Sequence, residues 1–86
     1  MKNIIYLIVI LFSISNCYSQ TAETYFDRGV DKANLKDYRG AIADFTKAIE
    51  LEANYAKTYF VRGRAKTNLQ DYRGAIADYM ECLPLL

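Results

Sequence analysis

Shifted by 34 residues, this chain matches itself: Ala22–Glu52 falls on Ala56–Leu86, and more than half of the 31 aligned pairs are identical. The segment YRGAIAD, Tyr38–Asp44, returns unchanged as Tyr72–Asp78. Thr24-Tyr25-Phe26 returns as Thr58-Tyr59-Phe60, and Arg28-Gly29 as Arg62-Gly63. Self-similarity at a period of about 20–50 residues marks stacked supersecondary units, each too small to bury its apolar face alone. The folding unit is therefore one period, and part of the core lies between units.

Each period reads as two helices. In Ala22–Leu35 the small and apolar residues Tyr25, Phe26, Gly29, Val30 and Ala33 recur in steps of three and four. In Tyr38–Leu51 the stripe is Ala41, Ile42, Phe45, Ala48 and Ile49. Such spacing places each set on one helical face. Asp37 is a natural N-cap, its carboxylate accepting from backbone N–H groups two or three residues on. The link around Lys36-Asp37 is so short that the two helices must run antiparallel. The second unit repeats the plan over Ala56–Leu69 and Tyr72–Leu83, and Pro84 should stop the last helix. Nothing alternates with a period of two, so the expected class is all-α, built from tandem antiparallel helical hairpins.

Glycine inside a helix costs about 1 kcal/mol relative to alanine, so Gly29 and Gly63 need a local reason. The expected one is a close crossing of the two helices, with the glycines opposite Ala41 and Ala75. Gly40 and Gly74 lie near helix starts and read as a permissive first turn.

Ahead of the repeats, Met1–Ser19 carries 13 apolar side chains. Lys2 precedes an unbroken apolar run, Ile4–Phe12, extended by Ile14. At about 11 residues this fits the core of a secretory signal and falls short of the ~20 residues of a membrane-crossing helix. The expected organisation is a signal peptide over residues 1–19 and a two-repeat unit over 20–86. The repeats span 22–55 and 56–86, the second incomplete. Cys17 and Ser19 suit cleavage before Gln20, with export to a periplasmic or secreted location. Cys17 as a lipidated first residue is the alternative, and an uncleaved leader the third reading; only these two would put the chain at a membrane.

From Gln20 onward there are 10 basic and 10 acidic residues. A neutral chain lacks the basic face that displaces counterions from phosphate, so no nucleic-acid partner is expected. With no histidine, Ser–His and Cys–His nucleophile pairs are excluded. No glycine-rich phosphate loop or metal-ligand spacing occurs, so no cofactor is expected. Asp44 and Asp78 read as members of a repeated helix surface rather than an acid–base pair, and Cys82 as a small core residue. The chain does not read as an enzyme.

A 34-residue hairpin with an aromatic residue at position 4, Gly at 8, Ala at 20, an aromatic at 24 and Ala at 27 resembles the tetratricopeptide repeat. Tyr25, Gly29, Ala41, Phe45 and Ala48 fill those places in the first unit, and Tyr59, Gly63, Ala75, Tyr79 and Cys82 in the second. Leu35–Tyr38 and Leu69–Tyr72 resemble the family's turn. Ala53 departs from the family's usual Pro, and Arg28 and Arg62 stand where Leu is commonest.

The resemblance implies a short tetratricopeptide-like α-solenoid and a protein-interaction role. Its groove, lined by the first helix of each hairpin, would hold a peptide or a partner helix. By family position the groove residues are Glu23, Phe26, Val30 and Ala33, then Lys57, Phe60, Arg64 and Thr67. Glu23 becoming Lys57 and Val30 becoming Arg64 turns that surface basic toward the C-terminal end. Phe26 and Phe60 have a second reading, as packing between hairpins. The family's lysine-and-asparagine carboxylate clamp is not reproduced, since Asn34 and Asn68 alone do not make it.

Three roles follow from this surface: an exported adaptor or scaffold, a self-stacking structural oligomer, or the remnant of a longer repeat protein. Two hairpins fall short of the ~3 repeats a solenoid normally needs. The stripe Ile76, Tyr79, Met80 and Leu83 has no successor to cover it, so self-association through the C-terminal hairpin is expected.

Overall fold

A computed structural model describes residues 21–53 and 55–83. Within them lie four helices: α1 (Ala22–Asn34), α2 (Tyr38–Leu51), α3 (Ala56–Asn68) and α4 (Tyr72–Cys82). Helices α1 and α2 form one antiparallel hairpin, α3 and α4 the next, and α2 packs against α3 to stack them. No strand occurs among the described residues. The all-α reading holds, and three of the four helices end one residue earlier than the pattern suggests. The leader, its cleavage site and Pro84 lie outside the described residues. Among those described, no helix is long and apolar enough to cross a membrane.

The turn inside each hairpin needs only three residues because one aspartate serves both helices. At the end of α1, the Asp37 N–H donates to the Lys32 carbonyl (2.8 Å) and the Lys36 N–H to the Ala33 carbonyl (2.9 Å). This is the Schellman arrangement, which satisfies the carbonyls left free at a helix C-terminus. It requires a left-handed residue, and Lys36 takes that position with φ 64°, although no glycine is present. Asp37 then caps α2, its side chain accepting from the Gly40 N–H at 3.0 Å. Gln70 (φ 64°) and Asp71 repeat the device, with Asp71 capping α4 through the Gly74 N–H at 3.1 Å. A Cβ at Gly40 would lie 2.8 Å from Asp37 Cγ. These glycines therefore make room for the cap itself, a more specific role than a permissive turn.

The core of the first hairpin is Ala22, Phe26, Ala41, Phe45 and Ala48, with Tyr25, Val30, Ala33 and Val61 packed around it. Phe45 is the largest fully buried side chain among the described residues, its ring 5.8 Å from that of Phe26. Gly29 faces this ring rather than Ala41: a Cβ there would sit 2.6 Å from Phe45 Cδ1. Gly63 stands in the same relation to Tyr79, at 2.8 Å from Cε1. The glycines thus admit a flat aromatic ring between two helices, a correction to the expected helix-on-alanine crossing. Cys82 is buried, as its alanine-like position suggests.

Asp44 and Asp78 are not surface residues; both are buried, Asp78 to 2 % exposure. Each sits beneath two cations from the preceding helix of its hairpin, placed one helical turn apart. Asp78 accepts from Arg62 Nε (2.8 Å) and Nη2 (2.6 Å), and Lys66 Nζ lies 3.1 Å away. Arg62 also donates from Nη1 to Thr46 Oγ1 at 3.2 Å, tying α3 and α4 back to α2. Asp44 is held more loosely. Lys32 Nζ is 2.9 Å from its Oδ2, an ionic contact off the hydrogen-bond direction, and Arg28 Nη2 stays 3.9 Å from Oδ1. The contrast has a simple origin. Arg62 lies under a neighbouring helix that supplies a hydroxyl, whereas the Arg28 side chain is 48 % exposed. Arginine at the family's leucine position is thereby explained: it neutralises a buried carboxylate across the hairpin.

Candidate functional site

The first helices of the two hairpins, α1 and α3, flank a cleft of about 190 Å³. Val30 and Ala33 come from α1, Val61 and Ala65 from α3, and Phe45 from α2; these supply the apolar wall. Asn34, Tyr38, Arg64 and Asn68 supply its polar groups. Asn68 Nδ2 donates to the Arg64 carbonyl at 3.0 Å, which holds that amide against its own helix. The Arg64 side chain is exposed. An apolar wall with a few polar groups and one free-standing cation can take an extended or helical segment and orient it by an anionic group.

The eight groove residues expected from sequence separate into three groups. Val30, Ala33 and Arg64 line the cleft together. Glu23, Lys57 and Thr67 are exposed but do not line it. The Thr67 hydroxyl is engaged in its own helix, donating to the Gly63 carbonyl at 2.9 Å.

Phe26 and Phe60 fall differently. Phe26 is 6 % exposed and belongs to the core, its ring 5.7 Å from that of Tyr55 at the start of the second hairpin, with Lys57 Nζ 4.7 Å above its face. It is packing between hairpins and offers nothing to a partner, so its place among the groove residues is corrected. Phe60 has Tyr79 on one side (5.7 Å) and stays 47 % exposed, because no described residue stands where Tyr55 stands for Phe26.

Sequence reasoning did not place Asn34, Tyr38, Val61 and Asn68 in the cleft. Val61 carried a readable signal: it is a valine exactly one period after the charged Asp27. A change from charge to branched aliphatic at one repeat position marks where a neighbour has arrived.

The family model for the tetratricopeptide repeat matches twice, over residues 22–55 and 56–84. The chain belongs to the tetratricopeptide repeat family. A comparison with curated proteins finds no match. Tetratricopeptide repeats in general mediate protein–protein interaction and are typically non-enzymatic.

Proposed function

We infer that this tetratricopeptide repeat chain is an exported adaptor or scaffold that holds a peptide or a partner helix in the cleft between α1 and α3. The observation that carries the reading is the cleft's composition: Val30, Ala33 and Val61 along its length, with the exposed Arg64 beside the amides of Asn34 and Asn68. Lys57 adds a second cation on the same helix. The preferred occupant is an aliphatic segment carrying a carboxylate. Self-association through the second hairpin uses a different face, α4, so both contacts are compatible in one chain.

A displayed library of random peptides tests the cleft. Sequences with aliphatic and acidic residues should be enriched. Their affinity should fall at least tenfold in Arg64→Glu and less in Lys57→Glu, with melting temperatures unchanged because both side chains are exposed. Enrichment that ignores Arg64→Glu would place the partner elsewhere.

Export rests on Lys2, the run Ile4–Phe12 and the small residues at Cys17 and Ser19. Fused to a reporter active only outside the cytoplasm, residues 1–21 should give signal, and mass spectrometry should find an N-terminus at Gln20. Acyl mass on Cys17 would establish the lipid-anchored alternative, and an intact Lys2 on a cytoplasmic product would remove both.

A further inference from the structure

The outer faces of the two described hairpins are chemically opposite. Where α3 meets α2 it presents Thr58, Val61, Arg62 and Ala65, with Ala65 almost fully buried. At the matching positions α1 carries Thr24, Asp27, Arg28 and Asp31. The two apolar contacts have become carboxylates, both exposed, and only Leu35 at the far end stays apolar. Stacking another helix on this leading face would bury two anions without partners. The leading face is polar.

The trailing face runs the other way. Helix α4 keeps Ile76 where α2 has Ile42, but puts Met80 for Thr46 and Leu83 for Ile49. Ile76, Met80 and Leu83 are 57 %, 64 % and 67 % exposed. Thr46 is the hydroxyl that accepts from Arg62. Methionine accepts only weakly, so α4 is unsuited to an arginine-bearing first helix such as another copy's α1. Head-to-tail growth therefore fails twice, through Asp27 and Asp31 on one side and through Met80 on the other.

We propose that the trailing face is covered by the same face of a second copy, α4 antiparallel to α4, in a closed two-fold pair. This rests on the reading that the second hairpin self-associates, and specifies how. A two-fold axis beside Ala77 sets Ile76 of each copy between Ile76 and Met80 of the other. The same register brings Arg73 of each copy opposite Glu81 of the other, and both residues are exposed on one flank of the stripe. The face is thus apolar along its stripe and complementary to itself in charge along its flank. An isologous contact of this kind closes at two copies, whereas a heterologous one would continue into filaments.

Oxidative cross-linking of the full chain in the cells that make it tests the register. Ala77→Cys should yield a disulfide dimer on a non-reducing gel. Ala43→Cys, the matching exposed position on α2, should add nothing to the unsubstituted chain. Adding Met80→Glu should cut the Ala77→Cys dimer at least tenfold while the helical circular-dichroism spectrum is kept. Arg73→Glu should reduce it several-fold, and Arg73→Glu with Glu81→Arg should restore it. Equal cross-linking from Ala43→Cys, a ladder beyond two copies, or indifference to Met80→Glu would overturn the two-fold pair. Sedimentation of the purified full chain separates the two levels. A dimer that Ala77→Cys does not trap refutes the register alone, and a monomer at every concentration removes self-association with it.

Discussion

Asp78→Ala should unfold the second hairpin. The Asp78 side chain is 3 % exposed and accepts two hydrogen bonds from Arg62, itself only 16 % exposed, with Lys66 beside it. Removing one partner of a buried pair leaves the other charge uncompensated, which costs about 3–5 kcal/mol. A core of this size supplies roughly 3–5 kcal/mol in total, so the loss is of the same order as the whole stability. The exposed end of the pattern gives the control. Arg28 is half exposed and 3.9 Å from Asp44, so Arg28→Ala should cost no more than about 1 kcal/mol. Urea melts followed by circular dichroism check both. A double change, Arg62→Leu with Asp78→Ala, should recover part of the loss, since replacing a buried pair by apolar side chains is often neutral while Lys66 stays without its carboxylate. Equal shifts for Arg28→Ala and Asp78→Ala would show that the buried pair carries no more stability than a surface one.

The next largest effect belongs to Gly29→Leu. Its Cβ alone would intrude on the Phe45 ring, which is almost fully buried and backed by Phe26. Overpacking of this kind costs about 1–3 kcal/mol. Gly63→Leu should cost less. It meets Tyr79, whose ring is partly exposed and can move outward, giving up the 3.4 Å contact of its hydroxyl with Thr67. Thermal melts of the two variants should therefore separate, Gly29→Leu melting lower. Phe45→Leu, harmful alone because it opens a void, should partly rescue Gly29→Leu by shrinking the group it meets. If Gly63→Leu proves the worse of the two, the first hairpin's core is not the tighter one.

Much of this architecture is legible before any coordinates. The 34-residue period, the four helices, the capping aspartates at 37 and 71 and the exposed Ile76, Met80 and Leu83 on α4 all follow from local pattern. Tyr79, expected in the same stripe, instead packs inside the hairpin against Phe60 and Gly63. Helix spacing and caps are set by residues within a turn or two of each other, so one strand of text contains them. The left-handed Lys36 and Gln70 were not legible. A turn of three residues between antiparallel helices demands that conformation, and here packing imposes it without a glycine to announce it. The buried state of Asp44 and Asp78 is equally hidden, since the cations that pair with them come from another helix, 12 to 16 residues earlier in the chain.

The identical segments draw the dividing line. Tyr38–Asp44 and Tyr72–Asp78 have the same seven residues, and both form the start of a capped helix. That helix, its cap and its inward alanine depend on the segment alone and are the same in both repeats. Yet Tyr38 and Ile42 are half-buried while Tyr72 and Ile76 are exposed, and Phe26 is core while Phe60 is not. Only the tertiary structure decided these, along with the position of the cleft and the hold on Arg62. The reason is physical: burial is a property of what lies on the other side, and the first hairpin has a neighbouring hairpin against α2 where α4 has none among the described residues.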